Sequence, residues 1–239
     1  MISAMARGGW AEVIALGKEI ERDLGFIYNG NVEGRARAQM GFAYRQLGED
    51  EKARRAFERG AEVWGGLGDL KSQGLMMVFV GRSQMAMGAA FSRDSSSSFD
   101  KARRLGLKLS DFALESESCR GLADLAKREG RLEEAQLLAQ QAFIAVDLLR
   151  EGDEKDILKS AALCSLLDCS DLKALDFDEA LLHQFVEIAG EIHQPQAIGF
   201  LAARHIHMGR RAEALAACTA ILALAAKVCF TLVTGPRRP

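Results

Sequence analysis

The sequence predicts an all-α fold, a right-handed superhelix of stacked helical hairpins, and three observations predict it. A phrase recurs in which Gly is followed five residues later by Ala: Gly48 and Ala53, Gly130 and Ala135, Gly209 and Ala214. The intervals of 82 and 79 residues between the glycines read as two periods of about 40 each, with a further unit hidden inside each interval. Only three prolines are present, and two fall in the last four positions, so Pro195 alone interrupts the body of the chain. Aromatic residues make up 7% while Ala and Leu dominate, which favours helices packed through small residues over sheets of β-branched and aromatic ones.

Setting Gly41 as position eight of its unit, the units begin at Gly34, Gly74, Ser116, Lys155 and Pro195, in steps of 40, 42, 39 and 40 residues. The predicted organisation is a single solenoid over 1–233. It has a half-repeat at 8–25, units near 34–73, 74–115, 116–154, 155–194 and 195–233, and a disordered tail at 234–239. Each unit is two antiparallel helices. A small residue at position eight (Gly41, Gly81, Ala123, Ala162, Ala202) lets the second helix come close, and the expected facing contact is the Ala at position twenty. The Gly at fifteen ends the first helix, where a left-handed backbone is needed. Apolar residues three and four apart, such as Ala53, Phe57, Ala61 and Trp64, complete the seam. One hairpin cannot bury both of its faces, so neighbours stack.

The individual elements follow that frame with three departures. Gly8–Gly25 reads as a second helix without its first, with Val13 in the place of Ala53. In the second unit Ala89–Phe99 intervenes between the helices, and its run Ser95–Ser98 reads as an inter-helix loop or, more sharply, as a phosphorylated segment just ahead of a helix. The fourth unit lacks the Gly at fifteen and has a longer turn near Asp168–Phe177. The paired glycines Gly8-Gly9 and Gly65-Gly66 read as helix-end turns.

Composition narrows the function classes. A net charge of -2 over 239 residues argues against nucleic acid or anionic membrane as the main partner. The stretch Ala212–Val233 is nearly apolar, but it is Ala-rich and holds Lys227, so a buried solenoid helix is preferred to a membrane span. Met1–Trp10 carries no secretory leader pattern. The five cysteines, Cys119, Cys164, Cys169, Cys218 and Cys229, lie in apolar helical stretches and are expected as buried free thiols in a reducing, cytoplasmic setting. His205 and His207 are two apart, which puts them on different helix faces, whereas paired metal ligands on a helix are four apart. No strand precedes a Gly-rich loop, and no Ser-His-Asp set has a defensible spacing. The expectation is a protein that is no enzyme and carries no cofactor or metal.

Ala38–Val63 resembles a tetratricopeptide (TPR) repeat, with the small–aromatic–Gly–Ala–Phe signature at Gly41, Tyr44, Gly48, Ala53 and Phe57. Gly121–Val146 is similar. The period near 40 and the linker Leu67-Gly68-Asp69 resemble the longer-repeat subclass found in kinesin light chains and spindle-orientation adaptors. The resemblance implies a concave groove lined by first-helix positions two, five, nine, twelve and thirteen. Carried over, these include Arg35, Phe42 and Arg45 in the first unit, Arg82 and Met85 in the second, and Glu117, Arg120, Asp124, Lys127 and Arg128 in the third. The same positions in the last two units, among them Leu163, Leu166, Leu167 and Ile206, imply an apolar groove. Position nine is never Asn, so the chaperone-type clamp for a C-terminal carboxylate is not expected. The implied function is a scaffold or adaptor binding an acidic, partly apolar peptide or partner helix. The alternative is a regulatory or sensor segment of a larger signalling protein or transcription activator.

Overall fold

The computed structural model describes residues 1, 4–5, 7–24, 29–150, 152–170, 179–189 and 193–234, with side chains apart from those of 24, 153–154, 179 and 225–234. The described residues form eleven α-helices, one short 3-10 turn and no strand. The chain divides into two compact units, 1–145 and 146–239.

The first unit contains α1 (Trp10–Leu24), α2 (Gly30–Gln46), α3 (Asp50–Gly66), α4 (Leu70–Ala86), α5 (Ser92–Leu109), α6 (Phe112–Arg128) and most of α7 (Leu132–Asp147). From α1 to α6 each helix packs on the next, and α4 also touches α6, the first helix of the following hairpin. Capping residues set the starts. Asn29, Asp69 and Asp111 accept from the amides of Val32, Ser72 and Leu114, which satisfies first-turn N–H groups of α2, α4 and α6. Left-handed glycines set the stops. Gly48 and Gly130 have φ of 72° and 75°, as the recurring phrase requires. The amides that follow them, of Glu49 and Arg131, reach back to the carbonyls of Tyr44 and Ala126 at 2.9 Å. Gly65 and Gly66 are helical instead, and Gly68 makes the turn after α3 at φ 75°.

The expected close approach at position eight is present, but its partner differs. A Cβ on Gly41 would lie 2.5–2.7 Å from the Phe57 ring, so the tightest neighbour is Phe57 and not Ala53. Phe57 is fully buried within a core of Met40, Tyr44, Ala53, Ala56, Ala61, Trp64, Met76 and Val80. Gly81 meets Phe99 in the same way, where a Cβ would lie 2.8 Å from the ring. At the start of the unit, α1 buries Val13 against Ala4 and Ala43, with Trp10 and Ile14 beside them.

The reading of Ser95–Ser98 as a loop is corrected. These residues lie in the first two turns of α5, after a 3-10 turn at Ala89–Phe91 that lengthens the connection. With that two-residue shift the second hairpin maps onto the first: Ser95 stands where Ala53 does, Ser98 where Ala56 does, and Phe99 where Phe57 does. Ser95 and Ser98 are buried because a serine is small enough for a tight seam and finds an acceptor there. Ser95 Oγ donates to the Gly81 carbonyl at 2.8 Å and Ser98 Oγ donates to Gln84 Oε1 at 2.9 Å.

The second unit contains α8 (Asp153–Cys169), α9 (Glu179–Ile188), α10 (Gln194–His207) and α11 (Arg211–Thr234). The pairs α8/α9, α9/α10 and α10/α11 pack together. Pro195 lies in the first turn of α10, where its missing N–H costs nothing, and Gly209 makes the left-handed turn into α11 at φ 69°. Lys155 is buried and donates to the carbonyls of Asp147 and Leu149, closing the end of α7. Leu163, Leu166 and Leu167 are buried in this unit, so the apolar groove expected of them is instead core. The longer turn expected near Asp168–Phe177 lies mostly outside the described residues, as do residues 235–239 of the expected tail.

Among the described residues, no helix is long and apolar enough to cross a membrane. The cysteines are corrected in part. Cys119 is buried, and burial pushes its thiol up to about 11, but Cys164 and Cys169 are half-buried and Cys218 is exposed. Cys229 lies outside the described side chains.

Candidate partner-binding surface

The candidate surface is built by the first helices of three successive hairpins, α2, α4 and α6. Helical spacing puts Phe42 and Arg45 one turn apart on α2, Phe79 and Arg82 one turn apart on α4, and Glu117 and Arg120 one turn apart on α6. The rings stack across the hairpins: Phe42 meets Phe79 edge-on at 4.6 Å between centroids, and both touch the buried Phe57 at 5.3 and 5.2 Å. Arg82 lies over the Phe79 ring at 5.8 Å from its centroid.

The charges are not all available to a partner. Glu117 pairs with Arg82 from α4 and, at 2.7 Å, with Arg120 on its own helix. Burial opposes the Glu117 charge, yet the two guanidinium groups outweigh it and hold the carboxyl below its ordinary value. Arg128 Nη1 donates to the Met85 carbonyl at 3.0 Å, spanning α6 and α4, and the Met85 side chain is itself buried. Arg82, Arg120 and Arg128 are therefore committed to holding successive hairpins together.

Arg45 differs. It is half-buried and makes no ion pair among the described residues. Its pKa is lowered, first by burial and then by the charge of Arg82, while Asp50 works the other way. A cation partly stripped of water beside a second cation is the surface's strongest call for an anion. Arg35 lies further up α2 and is exposed; Asp124 and Arg128 are exposed and Lys127 is half-buried on α6. Thus Phe42, Arg45 and Arg82 come together, whereas Arg120 enters only through Glu117.

Sequence reasoning missed one member and misjudged the role of another. Phe79 falls outside the positions counted as groove-lining, yet it is the ring that joins Phe42 to Arg82. Glu117 is counted among the groove-lining positions, but it is the bridge between two arginines. The available signal was Phe79 three residues before Arg82, a spacing that puts them on one face.

No protein-family model matches the chain, and no curated protein matches it. Solved structures do. BtubC (BKLC) from P. vanneervenii superposes with a TM-score of 0.56 at 13% identity, over 99% of this chain and 80% of that one. The putative kinesin light chain of Podosopora anserina, with nearly identical TPR-like repeats, matches with a TM-score of 0.55 at 17% identity, over 81% of this chain and 95% of that one. A variant of it matches at 18% identity with the same coverage. The fold is TPR-like. At these identities the likeness is one of architecture, and it agrees with the Gly–Ala phrase and the period near 40 residues. The fold is a helical repeat, and Phe42, Phe79, Arg45 and Arg82 lie on the first helices of its hairpins.

Proposed function

We propose that this TPR-like chain is a non-enzymatic, cytoplasmic adaptor that holds an acidic, partly apolar peptide or partner helix against α2, α4 and α6. The reading takes the chain as one solenoid of a half-repeat and five units, with the partner on the first-helix side. The observation that carries it is Arg45: half-buried, without an ion pair among the described residues, adjacent to Arg82 and flanked by the Phe42–Phe79 pair. A carboxylate placed there relieves the mutual repulsion of two guanidinium groups, and an apolar side chain beside it packs on the half-buried Phe42 and Phe79 rings.

The test is selection of peptides from a random displayed library on the full chain, followed by titration of the best binders. Selected peptides should be enriched in Asp and Glu next to an apolar residue. Arg45→Glu should weaken them by about tenfold or more, equivalent to about 1.4 kcal/mol. Arg55→Glu, a charge reversal on the exposed side of α3, should change affinity by less than about twofold, as screened long-range charge predicts. Equal losses in the two variants would show that only net charge acts, and the surface assignment would fall.

A further inference from the structure

A second polar site lies away from that surface, at the start of α5. An open cleft of about 600 Å³ is lined there by the 3-10 turn, by one face of α5 and by the end of α6 with the turn that follows it. On α5, Arg93, Ser97, Asp100 and Arg104 are spaced by four, three and four residues, so they form one stripe along the helix, and all four line the cleft. Arg131 faces them from the turn after α6.

The side chains in this cleft are not equally engaged. Arg131 is held by Glu129 at 2.5 Å and by Glu134, and Glu129 also accepts from Ser92. Arg93 and Arg104 are exposed and make no ion pair among the described residues, although Asp100 stands between them on the same stripe. Of the four serines in the run, Ser95 and Ser98 are buried and hydrogen-bonded within the α4/α5 seam. Ser96 is half-buried at the cleft's side, and Ser97 alone is exposed on the arginine stripe.

We propose that Ser97 is a phosphorylation site whose phosphate is received by Arg93, one turn before it, and Arg104, two turns after it, with Arg131 across the cleft. In the modification, Ser97 Oγ attacks the γ-phosphorus of ATP on a protein kinase. The new O–P bond forms as the bond to the β-phosphate oxygen breaks, ADP leaves, and the hydroxyl proton passes to the kinase's base. The phosphate brings a charge of about −1.5 to −2 and three acceptor oxygens to a stripe with two cations in reach. Asp100 opposes it, so the cations on both sides are needed to hold it. The same charge on Ser95 or Ser98 would enter the packed seam and break the hairpin. Access to Ser97 requires the first turns of α5 to open, and α5 starts without a side-chain cap.

The experiment uses the full chain with phosphoserine installed at position 97 during translation. In phosphorus NMR titrations the second phosphate pKa, about 6 in an unstructured chain, should fall by about half a unit or more. It should return toward the unstructured value in the Arg93→Gln, Arg104→Gln double variant, with the same circular dichroism. In parallel, an arginine-directed protein kinase with ATP should label the wild-type chain and Ser96→Ala, but not Ser97→Ala. An unchanged phosphate pKa, absence of label, or label that persists in Ser97→Ala would overturn the proposal. Unmodified chain is also titrated with inorganic phosphate. Saturable shifts at Ser97 that vanish in the double variant would assign the cleft to a free phosphate ligand and overturn the chain-borne phosphate. Affinity for selected peptides is measured on the same samples, so failure of the α2/α4/α6 surface and failure of this site are read separately.

Discussion

The hairpins α2/α3 and α4/α5 solve the same packing problem with different chemistry. In α2/α3 the seam is apolar: Gly41 lets the Phe57 ring come close, and Ala53 and Ala56 fill the sides. In α4/α5, Gly81 receives Phe99, but the flanking places hold Ser95 and Ser98, each with a hydrogen bond across the seam. The seam therefore selects for size first. Polarity is tolerated where an acceptor stands opposite, because a buried hydroxyl costs little once it is bonded and much when it is not.

The comparison breaks most visibly at the rings. Phe57→Ala and Phe99→Ala should each destabilise by about 3–5 kcal/mol, since both rings are fully buried and leave cavities against a glycine. Denaturant melts of the two variants would check this, and losses below about 1 kcal/mol would mean that the glycine–phenylalanine contact does not organise the hairpins.

An intermediate effect is expected at the second small position. Ser98→Ala leaves Gln84 Oε1 without its donor inside the seam, and the expected cost is about 1–3 kcal/mol. The reciprocal Ala56→Ser should cost a similar amount, because the residue in Gln84's place is Tyr44, which offers no amide acceptor. Thermal melts of both variants decide whether the acceptor matters, and a neutral Ala56→Ser would show that it does not.

The smallest effect belongs to the first small position. Ser95 donates to the backbone carbonyl of Gly81, and Gly41 holds the equivalent place in the first hairpin. Ala53→Ser thus has a carbonyl within the same geometry, and Ser95→Ala loses only a supplementary bond. Each should shift stability by less than about 1 kcal/mol. If Ala53→Ser cost as much as Ala56→Ser, the two hairpins would not share the register assigned to them.

Much of the fold was legible in the chain because it depends on local rules. The left-handed turns at Gly48, Gly130 and Gly209 follow from position relative to a helix end, and all three have positive φ. The close approach at Gly41 and Gly81 follows from the missing side chain. The serine run misled because serines in succession resemble a loop by composition, while the periodic signal, Phe99 displaced by two residues from Phe57's place, was hidden by the 3-10 turn. The cysteines misled because apolar neighbours in sequence do not show which side of a helix is covered, as exposed Cys218 on α11 illustrates. Of the candidate surface, the arginines were legible but their engagement was not.

The sequence by itself determined the helices, their stops and the size of the contacts, because capping, turn conformation and the 3.6-residue repeat act within a few residues of each other. Tertiary structure alone decided which charges are engaged within the fold. Arg82 and Glu117 are 35 residues apart, and Arg128 reaches a carbonyl 43 residues away. Whether such groups meet depends on how far one hairpin is displaced against the next. That displacement is the sum of ring, glycine and serine contacts along the seam, and no single stretch of sequence encodes it.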